Sequence, residues 1–282
     1  REGALRWLER FIRERLEGFG PWEDVMVSGQ RVLFHSVLSP LLNIGLLTPM
    51  ECLQAAERAY RDGRAPLASV EGFIRQILGW REFIHGLYWL KMPAYREVNV
   101  LGAERPLPRW AHDGETDMAC VADCMAMLKR DAWTHHIPRL MVLGQFALLL
   151  GVHPYRFHEW HMAMYVDAED WVSLPNALGM SQHGDGGVVG TKPYCASGNY
   201  IDRMSNYCQS CRYRPKLATG ADACPFTTLY WDFLDRHHER FAGNMRMKFQ
   251  VRNLERKPDD ELLDIRRQAE RLRARIDAGE RV

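Results

Sequence analysis

Three cysteines fall close together as Cys208-x-x-Cys211 followed by Cys224, in a turn-rich stretch that also holds Arg212, Arg214, Pro215, Lys216 and Gly220. A Cys-x-x-Cys hairpin turns two sulfurs toward one metal ion or one edge of a cluster, and a third sulfur from beyond a loop closes a face. Unliganded thiols packed as small apolar groups are the simpler alternative, but the spacing favours a metal. A fourth ligand has to come from elsewhere, and the candidates are Cys52, Cys120, Cys124 and Cys195. Cys120 and Cys124 are one helical turn apart, so they share a helix face and one of them is enough. Four thiolates serve a structural zinc ion and a cubane iron–sulfur cluster equally well, and spacing leaves that choice open.

A second candidate is the run His35-Ser36-Val37-Leu38-Ser39-Pro40, two hydroxyls three residues apart at the start of a helix and ahead of an apolar stretch. Backbone N–H groups and serine hydroxyls placed so can hold a diphosphate, although Ser-x-x-Ser-Pro also makes an ordinary N-cap. The pair His135-His136, taken alone, reads as a helix cap. His158-Glu159-Trp160-His161 lacks the His-Glu-x-x-His spacing of a zinc protease, so that chemistry is excluded.

The elements that would carry these residues are helical. Leu5, Leu8, Phe11, Ile12 and Leu16 recur at helical spacing with Arg and Glu between them, a pattern that closes near Gly18 and Gly20. Further helices are predicted over Pro49–Arg61, Val70–Trp89, Asp117–Lys129 and Ile137–Leu150, with Pro and Gly between them. Strand-type alternation is almost absent. Ile137–Val152 is broken by Pro138, Arg139, Gly144 and Gln145, which makes it a buried helix and no membrane span. The tail, Asp259–Asp277, opens on a capping Asp and shows a thin stripe of Leu262, Leu263, Ile265, Leu272 and Ile276, the pattern of a solvated terminal helix. The Gly-rich segment Ser181–Gly198 is a long loop of the kind that often carries function.

With 282 residues, 46% of them hydrophobic, the chain can bury a full core. A net charge of +1 means that any contact with nucleic acid must use a local basic patch. Seven cysteines, an odd number without a signal peptide, argue for thiols or metal ligands in place of disulfides and for a cytoplasmic location. The sequence opens at Arg1, already inside a helical pattern and without an initiator methionine, which suggests that a preceding part has been removed.

Phe73-Ile74-Arg75-Gln76-Ile77-Leu78-Gly79-Trp80-Arg81-Glu82-Phe83 follows the serine block at a distance that resembles the flavin-domain signatures of DNA photolyases and cryptochromes. The likeness extends over essentially the whole chain, through Thr116–Cys120, His135–Met141, Tyr165–Trp171, Leu174–Gln182, Lys192–Tyr194, Ser197–Ile201 and Met204–Cys208. Within the family the chain is most similar to the prokaryotic iron–sulfur branch that includes bacterial (6-4) photolyases. The resemblance implies an all-α FAD-binding domain over residues 1–200 and an iron–sulfur region with a terminal helix over 201–282, with the family's N-terminal α/β antenna domain absent. It implies a 4Fe-4S cluster on Cys120, Cys208, Cys211 and Cys224, which leaves Cys52, Cys124 and Cys195 as ordinary thiols. FAD contacts fall on His35, Ser36, Leu38, Ser39, Trp80, Arg81, Asp167, Asp170 and Asn176. The implied catalytic set is His135, His136, Tyr194, Tyr200 and Met180, one histidine giving a proton to a flipped lesion.

The implied activity is light-driven electron transfer from reduced FAD to a lesion in UV-damaged DNA, by a monomer that makes no membrane contact. Arg75, Arg81, Arg139, Lys192, Arg203, Arg212, Arg214 and Lys216 are the basic residues near these motifs that could grip phosphates. Three positions depart from the family pattern: His112 and His161 stand where tryptophan and tyrosine are usual, and Ser173 where an acid is usual. Imidazole is harder to oxidise than indole or phenol, so photoreduction slower than in typical members is expected. Two other readings are a signalling cryptochrome with the same flavin pocket and a zinc-stabilised helical module without catalysis.

Overall fold

The computed structural model describes all of residues 1–282. It is helical throughout, and four isolated bridges are its only β pairing. Helix α1 (Glu2–Glu14) buries Ala4, Leu8, Phe11 and Ile12 and leaves pairs such as Arg10–Glu14 in solvent, as its 3.6-residue period demands. Its apolar face meets α2 (Leu16–Trp22), α3 (Ser39–Asn43), α4 (Pro49–Arg61) and the first half of α5 (67–91). Phe11, Phe19 and Phe73 pack there with ring centroids 4.8 to 6.5 Å apart. Helix α4 starts where the sequence predicts, because Thr48 and Glu51 form a capping box and Pro49 fills the first turn.

A larger core collects α6 (Ala119–Asp131), α7 (136–150), α8 (Pro154–Met164), α9 (170–181), α10 (Gly198–Met204), α11 (Pro225–Arg236), α12 (Lys248–Glu255) and α13 (Asp259–Asp277). Every residue from Leu140 to Leu150 is buried, so this apolar stretch is the central beam of this core. No helix is long and apolar enough to cross a membrane. Apolar packing runs without a break across residue 200, since Phe146 on α7 touches Phe226 on α11 at 5.0 Å.

Three of these helices widen into π turns: Arg75–Arg81 in α5, Arg139–Gly144 in α7 and Asn176–Ser181 in α9. The π turns of α7 and α9 pack closely, which is why position 144 is glycine: a Cβ there would lie 2.3 Å from Ser181 Oγ and 3.0 Å from the carbonyl oxygen of Arg139. The Gly-rich loop has a local organiser in Asp185, whose carboxylate accepts N–H bonds from Gly187, Val188 and Val189 and the hydroxyl of Tyr95. The terminal helix spans Asp259–Asp277 as predicted, but Pro258 holds the cap position, and Arg266–Asp235 and Arg273–Asp232 ion pairs tie the helix to α11. Ile265, Ala269, Leu272 and Ile276 are its buried stripe, while Leu263 faces out.

Candidate functional site

Cys120 sits in the first turn of α6, Cys208 and Cys211 flank a tight turn, and Cys224 is the N-cap of α11 ahead of Pro225. The Cys211 N–H reaches the Cys208 carbonyl at 3.4 Å, the turn that a Cys-x-x-Cys hairpin requires, and the Cys224 N–H bonds the Leu217 carbonyl at 3.0 Å. All four sulfur-bearing residues line one pocket, walled by Met118, Tyr207, Tyr213 and Phe226. Gly198 closes it; a Cβ there would come within 2.8 Å of Cys224 Sγ. Cys124, one turn along α6, points instead to the Tyr207 hydroxyl at 4.0 Å.

Burial pushes the Cys120 thiol well above the ordinary range, with Cys224 as the next cause; burial likewise raises Cys208 to about 12 and Cys224 to about 11. Three neighbouring thiols that resist ionisation, Cys120, Cys208 and Cys224, are what a cationic centre would stabilise as thiolates. No three His, Cys, Asp or Glu side chains converge as tightly as a single metal ion requires. A lone zinc draws four sulfurs to about 2.3 Å from one point, whereas a cubane presents four separate iron corners. Four cysteine sulfurs around one pocket are a donor set of the kind that both zinc and iron–sulfur centres use.

The π turns bring a second set together. On α5, Trp80 Nε1 donates to Asn176 Oδ1 at 2.9 Å, and Asn176 Nδ2 donates to the Val172 carbonyl at 2.7 Å. The Arg81 guanidinium lies 4.8 Å over the Trp171 ring and pairs with Glu82. Asp170 takes the Tyr88 hydroxyl at 2.6 Å and faces His158 Nε2 at 3.0 Å. On α7, Arg139 pairs with buried Asp167 at 3.1 Å and covers the Tyr165 ring at 3.9 Å, while His161 stacks on that ring at 4.3 Å. Ser39 Oγ donates to Asp167 at 2.5 Å, and Asn43 bonds the Asp167 carbonyl. Burial works to raise the Asp167 carboxyl, but Arg139 and Ser39 outweigh it and hold it below its ordinary value. Two buried donors, Arg81 Nε and Arg139 Nε, have no protein partner, a polarity that a ligand held between these helices would satisfy.

Beside this cleft, the His35 ring stacks on His135 with centroids 4.2 Å apart. His135 is 1% exposed and neither of its nitrogens is hydrogen-bonded. His136 opens to solvent, yet the surrounding protein and then Arg139 push it down to about 4. Burial takes His35 to about 4 and His135 to about 2. Tyr194, Tyr200 and Met180 are half-buried. The carbonyl of Ser36 accepts from Trp7 Nε1 at 3.1 Å, and Leu38 is buried at the head of α3.

A (6-4) photolyase from Agrobacterium fabrum is 47% identical to this chain over 277 residues, 98% of its length. The chain is similar along nearly its whole length to a member of the photolyase and cryptochrome family. It spans 55% of that relative's length. An uncharacterised mimivirus protein is 30% identical over 103 residues, 76% of its own length. In fold, the chain is similar to a class III photolyase from Agrobacterium tumefaciens (TM-score 0.57, 22% identity, 72% of this chain and 44% of that one) and to a Synechocystis cryptochrome (TM-score 0.58, 16% identity, 89% and 50%). No family model matches the sequence.

Placed on this photolyase-type domain, the eight basic residues divide. Arg75, Arg81, Arg139 and Arg212 are taken by Glu71, Glu82, Asp167 and Asp117, whereas Lys192, Arg203, Arg214 and Lys216 form no ion pair. Arg139 was grouped by sequence with the phosphate grips; its place on an otherwise apolar buried helix was the signal that it needs a carboxylate partner. Sequence reasoning gave Tyr165 no role, and only its neighbours in space reveal it. Of the departures, His112 is exposed, Ser173 is buried, and His161 takes its place in the Arg139–Tyr165 stack. Trp160 Nε1 donates to the Ala111 carbonyl at 2.7 Å, and its ring meets Tyr165 edge-on at 6.2 Å.

Proposed function

We propose that the chain is the catalytic part of a light-dependent photolyase that repairs (6-4) lesions in UV-damaged DNA, with FAD between the three π turns and a 4Fe-4S cluster on Cys120, Cys208, Cys211 and Cys224. The observation that carries this reading is the likeness to a (6-4) photolyase over 98% of the chain. The four-thiol pocket and the unpartnered Arg81 and Arg139 donors support it from the chain's own geometry. FAD, when bound, supplies light-driven one-electron transfer.

The protein's contribution is to hold and to exclude. Trp80 and Asn176 lock α5 to α9, and Arg139 with Asp167 locks α7 to the segment before α9 while supplying fixed charge at the cleft. His136 is the accessible imidazole, the one that can hold or give a proton at a ring nitrogen to a flipped base. Tyr194, Tyr200 and Met180 present half-buried surface for that base, and Lys192 and Arg203 are free for phosphates. A phosphate nearby offsets the repulsion from Arg139 and raises the His136 pKa toward neutrality.

The test is a blue-light repair assay on an oligonucleotide carrying one (6-4) photoproduct, run beside flavin and iron analysis. Repair in light but not in darkness, with FAD and about four irons per chain, is expected. Bound flavin without repair assigns the chain to signalling; a colourless zinc protein overturns both the flavin and the cluster assignments.

A further inference from the structure

The loop leading into α3 carries two non-glycine residues in the left-handed region, Leu33 at φ 47° and Val37 at φ 54°. Such a conformation is strained for a side chain with a Cβ, so it persists only where surrounding contacts over-determine it. His35 stands between them. Its ring lies nearly parallel to that of His135, with 21° between planes, and Phe19 meets it edge-on at 6.1 Å. Its Nε2 is 3.0 Å from the Glu23 carbonyl oxygen. A carbonyl only accepts, so Nε2 carries the hydrogen and the tautomer is set.

His135 has no such anchor. With both nitrogens unpartnered and the side chain sealed from water, its orientation rests on what it stacks against. His136, the next residue, faces solvent.

We propose that His35 is a positioning residue for the histidine pair: its anchored ring holds His135 in place and neutral, so that a proton arriving from solvent resides on His136. This rests on the photolyase reading and assigns the pair its division of labour. A proton on either stacked ring opposes one on the other, since like charges at this separation repel in a dry environment. Arg139 adds positive charge from α7, and Glu23 and Asp24 are the carboxylates on the segment that supplies the anchoring carbonyl. Burial and the neighbouring imidazole push His135 down to about 2, below His136 at about 4.

The experiment is histidine-selective NMR titration of the purified protein with its cofactors, in the dark, for the wild type, His35→Ala and His35→Phe. In the wild type the His135 ring signals stay flat down to the acid limit of the fold, and His136 titrates first. In His35→Ala, His135 gains water on the vacated face and its midpoint rises by about one pH unit or more, a tenfold gain in proton affinity. His35→Phe keeps a flat ring but removes the anchor and the like charge, so a smaller rise is expected there. Should the alanine variant fail to fold, the phenylalanine variant decides. Unchanged His135 signals and midpoint in a folded variant overturn the proposal. The titration needs neither lesion nor light, so a negative repair assay would sink the photolyase reading without touching this result.

Discussion

Around the four cysteines the walls are apolar and no charged side chain lines the pocket, whereas the cleft between the π turns is a mesh of ion pairs and side-chain hydrogen bonds centred on Arg139, Asp167 and Asn176. The first site lacks a counter-charge: Cys120, Cys208 and Cys224 are raised by burial first and by neighbouring thiols after it. The second already balances its own charge, with Asp167 held ionised by Arg139 and Ser39. A site of the first kind gains much of its stability from what it binds; a site of the second kind is preorganised and loses most when its own partners are removed.

Removing a sulfur is the harshest way to break this contrast. Cys224→Ser is expected to drop iron from about four per chain to below one and to abolish the iron–sulfur shoulder beside the flavin band at about 450 nm. Soluble yield should fall as well, because the pocket joins α6, α10 and α11. Cys124→Ser, which alters a sulfur turned away toward Tyr207, should leave iron unchanged. Equal iron loss in both variants would show that the four-cysteine grouping is wrong.

At the polar cleft, Arg139→Met leaves Asp167 buried without its partner, a change that typically costs about 3 to 5 kcal/mol. Thermal unfolding should show that loss together with loss of flavin, while iron stays bound. Pairing it with Asp167→Leu removes the orphaned charge and should restore part of the stability but not the flavin. Recovery of both would mean that the ion pair serves only the fold.

How far each site could be read in advance follows from the same contrast. Cys208, Cys211 and Cys224 are near neighbours in sequence, and a local turn sets their convergence, so spacing alone pointed to a metal. Only the family resemblance chose Cys120 over Cys124, since a helix puts both on one face. The all-helical fold was legible because α1 and α4 carry their period and caps in plain view. The Arg139–Asp167–Ser39 node was not, because it joins positions separated by 28 and 128 residues, and neither periodicity nor spacing reports such a meeting. The π turns left no mark that a 3.6-residue pattern could show; Gly79, Gly144 and Gly179, one in each, are their only local trace.

Acid should open the cleft before the thiol pocket. His35, His135, His136 and His161 are all held below their ordinary value of 6.5, the last at about 3, with burial the leading cause. Below about pH 6.5 the unfolded chain therefore takes up protons that the fold refuses, so stability falls as pH drops from there through about 4 and lower. A melting temperature that declines between pH 7 and pH 4.5 is expected, with flavin released before iron. In the metal-free protein the raised thiols act in the opposite direction: their contribution is present below about pH 9 and is lost as pH rises toward 12. A melting temperature flat over both ranges would count against buried neutral histidines and thiols alike.

The mildest comparison uses one methyl group at each site. Gly144→Ala meets Ser181 Oγ, which can rotate away, but also the Arg139 carbonyl at 3.0 Å, which is backbone of the π turn and cannot. Overpacking of that kind costs about 1 to 3 kcal/mol, and since Arg139 is the residue displaced, flavin affinity should weaken with it. Gly198→Ala meets Cys224 Sγ at 2.8 Å and the Pro215 carbonyl and Thr227 Oγ1 at 3.0 Å, so its strain falls on the proposed ligand Cys224 and on the Thr227 bonds that brace the loop. Measured side by side, the first variant should lose flavin at constant iron and the second iron at constant flavin. A variant that lost both would reveal that the two sites are coupled through α7 and α11, where Phe146 and Phe226 are in contact.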